Sequence, residues 1–197
     1  MRTVLNVCLL LSITIATGSC LVCQTCKNYT GDICTEPTTK TCDPSVTRCL
    51  TTLAVTMNGK NFYPMVEKSC ATSPQLCEAT FNMSTGVEWY SVSKCCQGDL
   101  SNKGSIKLPP INSTENGVQC PACYAKGKTC TPTGTIKCRG PQTKCFNFSG
   151  GIYNGTQFED WAFQGCTTEN ICEYPALTYP ENYLQEDYKL TCSNSKP

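Results

Sequence analysis

The sequence predicts an all-β, small disulfide-rich fold built twice in tandem, and three observations support this. The chain has 19 cysteines in 197 residues, a density typical of small secreted domains held together by disulfides. The cysteine spacing of the first half recurs in the second, and each half places an Asn-Gly pair, which favours a tight hairpin turn, nine residues after its fifth cysteine. No segment shows a sustained helical period of apolar residues.

The repeated cysteine frame defines the two units. The first frame runs Cys23-x2-Cys26-x7-Cys34-x7-Cys42-x6-Cys49. The second runs Cys120-x2-Cys123-x6-Cys130-x7-Cys138-x6-Cys145. In each unit the next cysteine follows 21 residues later, at Cys70 and Cys166. Six matched positions in the same order indicate a tandem duplication of one disulfide-framed unit.

We divide the chain around this frame. Residues 1–20 are expected to be a secretory signal peptide, because Arg2 is followed by an apolar run and then by small residues. Residues 21–102 are expected to form the first domain and residues 119–197 the second. Residues 103–118 form a Pro-containing linker, in which Pro109-Pro110 favours an extended, semi-rigid connection.

These features predict a secreted, extracellular protein. Removal of the signal peptide leaves 15 basic against 15 acidic residues and no basic run, so we expect no binding to nucleic acid or to anionic membranes. Residues 191–197 carry no hydrophobic tail of the kind that a glycolipid anchor requires. Five Asn-x-Ser/Thr sequons are candidate glycosylation sites: Asn28, Asn82, Asn112, Asn147 and Asn154.

The strands are expected to form hairpins within the cysteine frame. Residues rich in β-formers on both sides of Asn58-Gly59 predict a hairpin between Cys49 and Cys70 with a type I′ turn. Pro64 is expected to place the returning strand at the edge of its sheet. Residues 79–83 and 87–92 predict another pair of strands. The second unit repeats the plan, with hairpins in 146–165 and 173–191.

The two ends of the first unit carry a family resemblance. Leu21-x-Cys23-x2-Cys26 and Cys95-Cys96-x5-Asn102 resemble the opening and closing of a three-finger domain of the lymphocyte-antigen-6 and urokinase-receptor family. The resemblance implies β-fingers that project from a disulfide knot. It also implies a pairing that spacing alone cannot choose: Cys23–Cys49, Cys26–Cys34, Cys42–Cys70, Cys77–Cys95, Cys120–Cys145, Cys123–Cys130, Cys138–Cys166 and Cys172–Cys192.

The chain departs from the family pattern at Ser101, which stands where the family has its closing cysteine. Cys96 therefore loses its expected partner. The second unit also ends at Cys192 without the closing pair. Our hypothesis is that Cys96 either bonds Cys20 or is free to crosslink another chain.

The two-unit plan and the connector are similar to gamma-type phospholipase A2 inhibitors. The shared motifs are Leu108-Pro109-Pro110 with Asn116-Gly117, Gly140-x-Gln142-Thr143-Lys144-Cys145, and Gly165-Cys166. The resemblance implies an inhibitor that binds a secreted phospholipase A2, occludes its surface and self-associates. It also implies a partner-binding surface in the connector, at Leu108, Pro109, Pro110 and Ile111.

Two alternatives remain open. Amphibian sodefrin precursor-like factors, which are secreted courtship pheromones, share nearly the same framework, including the terminal Tyr188-x-Leu190-x-Cys192. The chain would then be a secreted signalling ligand for a cell-surface receptor. A third function is a soluble adhesion or receptor-like module. One fold supports several such functions.

Catalysis and cofactor binding are not expected. The sequence has no histidine, so no Ser-His or Cys-His nucleophile can be built. We interpret Glu159-Asp160 and Glu186-Asp187 as surface acids, and the Cys-x2-Cys pairs as disulfide cysteines rather than zinc ligands or thioredoxin-like redox pairs.

Binding is the remaining function. Aromatic residues in predicted strands are candidates for it: Trp89, Tyr90, Tyr153, Phe158, Trp161 and Phe163. Alternation puts Trp89 and Tyr90 on opposite faces, which leaves one of them for a partner unless it packs on a neighbouring finger or on the other domain.

Overall fold

The architecture is described from a computed structural model, which covers residues 20–153, 156–173 and 184–194. Residues 1–19 of the predicted signal peptide (1–20), the sequon at Asn154 with its predicted turn, residues 174–183 of the hairpin predicted in 173–191, and residues 195–197 lie outside this range.

The prediction of an all-β fold is confirmed. The strands are β1 Val22–Asn28, β2 Thr38–Thr41, β3 Cys49–Asn58, β4 Asn61–Cys70, β5 Thr80–Ser84, β6 Glu88–Cys96, β7 Glu115–Lys126, β8 Gly134–Arg139, β9 Lys144–Tyr153, β10 Phe158–Thr167 and β11 Lys189–Asn194. The helical elements among the described residues are short: a 3₁₀ turn at Pro74–Leu76 and α1 at Glu169–Glu173.

The first hairpin joins β3 to β4, but its turn lies one residue later than predicted. Asn58 pairs with Asn61, so the turn residues are Gly59 and Lys60. Gly59 has φ +60° and Lys60 does not enter the positive-φ region, which is the φ pattern of a type II′ turn. The predicted type I′ turn at Asn58-Gly59 is therefore wrong. The shift lets the one residue without a Cβ take the single positive φ that the turn requires.

The edge position predicted for β4 holds only for the outer part of the strand. Near its base β4 lies between β3 and β1, with Val66, Glu67 and Lys68 paired to β1. Pro64 lies beyond the end of β1 and pairs only with Val55 of β3. Because proline has no N–H to donate, it is tolerated where the second neighbour is missing.

Eight disulfides hold the bases of the fingers, and they are the pairs that the family resemblance implies. In each domain two of these disulfides form a buried sulfur cluster, from Cys23, Cys42, Cys49 and Cys70 in the first and from Cys120, Cys138, Cys145 and Cys166 in the second. In the chain-entropy model, a crosslink across about 25 residues contributes roughly 3–4 kcal/mol. The disulfides thus supply much of the stability that small domains cannot obtain from a core.

The two domains share one sheet. Strands of both join in the order β11-β9-β10-β5-β6-β3-β4-β1-β2, and β7 pairs with β10 and β8. The domains meet where β10 runs antiparallel to β5, with Cys166 opposite Ser84 and Thr167 opposite Met83. The main apolar core lies at this junction and contains residues of both domains: Ala79, Phe81, Met83, Phe146, Phe148, Phe163 and Ile171.

Candidate functional site

The domain junction is held by hydrogen bonds from backbone and side chains. The Thr168 N–H donates to the Asn82 carbonyl oxygen at 3.1 Å, and the Asn82 N–H donates to the Thr168 hydroxyl oxygen at 3.3 Å. The Asn170 amide donates to Thr80 O at 3.0 Å, and the Ser84 hydroxyl donates to Gln142 Oε1 at 3.2 Å. The Asn82, Thr168, Ser84 and Gln142 groups are buried, so their pairing offsets the cost of removing polar groups from water, whereas the bond from Asn170 to Thr80 is exposed.

Phe163 is the centre of the apolar core at this junction. Its ring stacks on Phe148 of the same domain at 4.5 Å and on Trp89 of the first domain at 5.6 Å between centroids. Tyr124 lies 5.8 Å from Trp89 and 5.0 Å from Trp161. The aromatic residues of the two domains therefore form one continuous cluster, to which the first domain contributes Trp89.

Gly165 makes the close approach of the domains possible. A Cβ at this position would lie 1.9 Å from the Ser84 carbonyl oxygen. Any side chain would therefore push β10 away from β5. Ser84 is also the strand partner of Cys166, so the pairing of the two domains depends on the absence of a side chain at Gly165.

A groove lies next to this junction, on the face of the first domain that carries Trp89. It has a volume of about 210 Å³. Its walls and floor come from β3, β4, β5 and β6, with one residue that follows β1. The residues that line it are Tyr29, Ala54, Val55, Thr56, Tyr63, Met65, Phe81, Met83, Trp89, Tyr90 and Ser91.

The strand register explains why a groove forms here. Two rows of directly opposed residues cross the four strands on one face, and the rows are Phe81-Ser91-Ala54-Met65 and Met83-Trp89-Thr56-Tyr63. In the first row the central residues, Ser91 and Ala54, are small, whereas the outer ones, Phe81 and Met65, are large. Directly opposed side chains on one face lie about 5 Å apart, so small residues between large ones leave a depression. Ser91 and Ala54 form its floor.

Ser91 has an unusual environment on this floor. Its side chain is 4% exposed, and its hydroxyl oxygen is buried without a hydrogen-bond partner. Ser93, two residues along the same strand, is equally buried, but its hydroxyl is 2.8 Å from that of Thr52. A buried hydroxyl without a partner is costly, and most are paired. Ser91 thus places a buried, unpaired hydroxyl beneath an apolar groove.

The charges near the groove are neutralised within the fold. Glu88 accepts a hydrogen bond from the Tyr90 phenol at 2.7 Å and pairs with Arg139 of the second domain at 3.0 Å. Glu67, which is 7% exposed, pairs with Lys27 at 3.0 Å. No charged side chain lines the groove itself, so this part of the described surface suits an uncharged group.

The connector residues lie elsewhere. Leu108 is half-buried and Pro109, Pro110 and Ile111 are exposed, with Ile111 at 39%. None of the four lines the groove. The connector is tied down at its start, where the Lys68 ammonium donates to Lys103 O at 2.8 Å. The structure therefore offers two separate apolar surfaces, the groove and the connector.

The aromatic candidates other than Phe158 are buried or half-buried within the protein. Tyr90 is 9% exposed and does not stand free for a partner, whereas Trp89 stacks on Phe163 of the second domain but is only half-buried. Both nevertheless contribute to the groove. Phe158 is 46% exposed at the end of β10. The predicted surface acids Glu159 and Asp160 pair with Lys126 and Lys128, and Glu186 and Asp187 are exposed.

The structure contradicts one branch of the hypothesis for Cys96. Cys20 and Cys96 are both half-buried, and neither is in a disulfide. The hydroxyl of Ser101, which stands at the family's closing position, is buried without a partner. A disulfide between Cys96 and Cys20 is therefore not formed, and a crosslink from Cys96 to another chain stays a prediction. Each Cys-x2-Cys cysteine is consumed in a disulfide.

The structure separates the predicted glycosylation sites. Asn112 and Asn147 are exposed, and Asn28 is half-buried beside a loop. Asn82 is 8% exposed in the domain junction, where its side-chain oxygen is buried without a partner. Because Asn82 is buried at the junction, we expect this sequon, unlike Asn112 and Asn147, to carry no glycan.

We expect mass spectrometry of the secreted protein to find glycans at Asn112 and Asn147 and none at Asn82, because a glycan there would hold the domains apart. Peptide mapping after enzymatic deglycosylation measures this directly. The control is Gly165→Ala, which is expected to separate the two domains and should therefore gain a glycan at Asn82. Full occupancy of Asn82 in the folded wild-type protein would contradict the packing of the junction.

Two phenols, the buried Tyr90 and the partly exposed Tyr124, give the protein a dependence on alkaline pH. Burial raises the pKa of Tyr90, and its hydrogen bond to Glu88 raises it further. Burial also raises the pKa of Tyr124. Above about pH 10 the unfolded chain loses these protons while the folded protein keeps them. The stability that these phenols contribute below that pH is therefore lost as the pH rises through their folded values.

We expect an absorbance titration to show that Tyr90 and Tyr124 ionise above the ordinary pKa of a tyrosine. Tyr90→Phe and Tyr124→Phe should each remove one of these late phenols, and the double variant should weaken the fall of urea stability above about pH 10. Tyr63→Phe is the control, because Tyr63 is 57% exposed. Early ionisation of all phenols in the folded protein would contradict the burial.

Sequence reasoning missed Ser91, Met65 and Tyr63 as parts of a site. Serine, methionine and tyrosine in an extended run carry no signal of their own. Their relation appears only in the register, which places Ser91 opposite Ala54 and Ala54 opposite Met65. A register cannot be read from one strand, so single-sequence reasoning could not have found the groove.

Among the described residues, no helix is long and apolar enough to cross a membrane. Comparison with solved structures gives mouse TEX101, at a TM-score of 0.37 and 20% sequence identity, with 87% of this chain and 97% of that chain covered.

Among known proteins, several relatives match most of the chain. Protein RoBo-1 of Rattus norvegicus is 30% identical over 178 residues, which cover 87% of this chain and 71% of that protein. Phospholipase A2 inhibitor NAI of Notechis ater is 30% identical over 175 residues, 84% of this chain and 82% of the inhibitor. A gamma-subunit phospholipase A2 inhibitor of Laticauda semifasciata is 29% identical, with 72% and 82% covered.

The family model of the u-PAR/Ly-6 domain matches two regions, residues 19–104 and 116–196. The two matches cover most of the chain and contain the eight disulfides. The resemblance to three-finger proteins and to gamma-type phospholipase A2 inhibitors is thereby confirmed. The chain belongs to the u-PAR/Ly-6 domain family and carries two such domains in tandem.

Proposed function

We propose that this protein is a secreted inhibitor of a secreted phospholipase A2, which it blocks by covering the enzyme's surface. The observation that carries the proposal is the likeness to proteins named phospholipase A2 inhibitors, at 25–30% identity over most of the chain. Binding rather than catalysis is consistent with a sequence without histidine. Secretion is supported by the eight disulfides, which persist in oxidising compartments.

The structure supports this role with two exposed apolar surfaces. One is the connector, in which Ile111 is 39% exposed and Pro109 and Pro110 are exposed. The other is the rim of the groove, where Tyr63 is 57% and Tyr29 40% exposed. Large apolar side chains at the surface mark protein contact sites, and aromatic ones often carry most of the binding energy. Self-association of the inhibitor is part of the proposal.

The test is a titration of the purified protein, with its disulfides formed, against a panel of secreted phospholipases A2. Hydrolysis and direct binding are measured together, and sedimentation gives the oligomeric state. We expect saturable inhibition near one inhibitor assembly per enzyme. No binding to any enzyme of the panel would contradict the proposal and would favour the alternative, a signalling ligand for a cell-surface receptor.

The contribution of the connector can be tested with one pair of variants. We expect Ile111→Ser to weaken inhibition by about tenfold, because truncating an apolar side chain within an interface costs roughly 1–2 kcal/mol. Ile33→Ser is the matched control: Ile33 is 64% exposed on a loop of the first domain. Equal inhibition by both variants would show that the connector is not part of the binding surface.

A further inference from the structure

The groove of the first domain combines an apolar wall with a polar group that the fold leaves unpaired. Five described side chains have a buried polar atom without a partner: Asn82, Thr85, Ser91, Ser101 and Asn170. Of these, Ser91 alone lines the groove. Because Ser91, Ala54 and Phe81 are direct neighbours across the strands, the Ser91 side chain lies on the groove face. Its hydroxyl can donate or accept one hydrogen bond.

The size and charge of the groove restrict its occupant. A volume of about 210 Å³ lies below the roughly 300–1,000 Å³ of sites for drug-sized ligands, and it suits a single large side chain. The lining contains no charged residue, so an ionised head group such as a carboxylate or a phosphate would lose its hydration without a counter-charge. The aromatic rings of Phe81 and Trp89 favour an uncharged aromatic group.

The rim of the groove indicates a protein as the source of that group. Tyr63 is 57% exposed at the rim, and Tyr29 is 40% exposed. A pocket for one anchor, surrounded by aromatic surface that excludes water, is the usual arrangement of a binding hot spot between proteins. Met65 and Met83 flank the floor, and their flexible side chains can move to admit a ring.

We propose that the groove above Ser91 binds an aromatic anchor side chain of a partner protein, one that carries a hydrogen-bonding atom, as tyrosine does. The ring lies against Phe81 and Trp89, and its polar atom pairs with the Ser91 hydroxyl. This inference depends on the proposed function in one respect: both assume that the binding partner is a protein. It places this contact in the first domain, away from the connector.

The test uses Trp89 as a reporter. The sequence has two tryptophans, so Trp161→Phe leaves Trp89 alone in the groove wall. The probes are N-acetyl-tyrosinamide and N-acetyl-phenylalaninamide, which differ by one hydroxyl, and fluorescence is excited where neither absorbs. We expect saturable changes with dissociation constants on the order of a millimolar for the tyrosine probe. The phenylalanine probe should bind about fivefold more weakly, since it cannot pair with Ser91.

Ser91→Ala and Ser93→Ala form a matched pair of variants. Ser91→Ala should abolish the preference for the tyrosine probe and raise the melting temperature, because it removes an unpaired buried hydroxyl. Ser93→Ala should keep the preference and lower the melting temperature, because it breaks the hydrogen bond to Thr52. These opposite effects separate a ligand contact from a structural role.

Several results would overturn the inference. The first is the absence of a saturable change with the tyrosine probe, the second is equal binding of the two probes, and the third is a loss of stability in Ser91→Ala. Binding of oleate in preference to the tyrosine probe would assign the groove to a lipid instead. The outcome is independent of the inhibition assay: a protein that binds the tyrosine probe but inhibits no phospholipase A2 would contradict the proposed function alone.

Discussion

Gly165→Ala is expected to separate the two domains. The added Cβ would lie 1.9 Å from the carbonyl oxygen of Ser84, and neither group is the movable end of a side chain. Relief of this overlap requires β10 to move from β5, which breaks the pairing of Thr167 with Met83. We expect a loss of about 3 kcal/mol in the free energy of unfolding, at the upper end of what overpacking costs.

Two measurements detect the separation of the two domains. Urea unfolding gives the loss of stability, and small-angle scattering should show a larger radius of gyration as the junction opens. Trp89 should become more exposed to solvent, because it stacks on Phe163 across the junction. The eight disulfides should still form, since both members of each pair belong to the same domain.

Gly134→Ala is the matched control for this variant. Gly134 also lies in a strand of the second domain, but a Cβ there would meet open space. We expect a change of no more than about 0.5 kcal/mol and an unchanged radius. If Gly165→Ala behaved like Gly134→Ala, the two domains would not pair through β5 and β10 in solution.

Phe163→Ala is expected to have the largest effect on stability of any side-chain truncation in the core. Phe163 is 2% exposed and contacts aromatic rings of both domains. Truncation of a buried phenylalanine costs about 3–5 kcal/mol, as transfer energy and as the cavity that remains. We expect a loss of about 4 kcal/mol in urea unfolding, with both domains affected because the cluster belongs to both.

Phe158→Ala provides the comparison on the same strand. Phe158 is 46% exposed and lies 5.5 Å from Tyr153 at the far end of β10. Its truncation should cost about 1 kcal/mol or less. A double-mutant cycle between Trp89→Leu and Phe163→Leu should give a coupling of about 1 kcal/mol, as for other aromatic pairs. Zero coupling would show that the rings do not meet across the junction.

The local structure could be predicted because its signals are local. The duplicated cysteine frame and the Asn58-Gly59 pair lie within short stretches, and each acts through neighbouring residues. The error at Asn58-Gly59 was a shift by one residue. Such a shift cannot be read from the pair itself, because Gly59 can occupy either central position of a two-residue turn.

The candidate site could not be predicted in the same way. The sequence predicts an accessible sequon at Asn82, but this residue is buried because β10 of the other domain pairs with β5. In the sequence Ser91 has no feature that distinguishes it from other strand residues. Only the strand register shows that it lies between Ala54 and Phe81. Both outcomes depend on contacts between residues far apart in the chain.

The β-fingers, the tandem plan and the cysteines available to crosslink them can be derived from the amino-acid sequence alone. These follow from residue type and spacing, which act over a few residues. The shared sheet at Gly165, the packing of Trp89 on Phe163 and the unpaired Ser91 hydroxyl below a groove become apparent only in the folded protein. The reason is physical: close packing and buried polar groups depend on which distant surfaces meet, and a single strand does not contain that information.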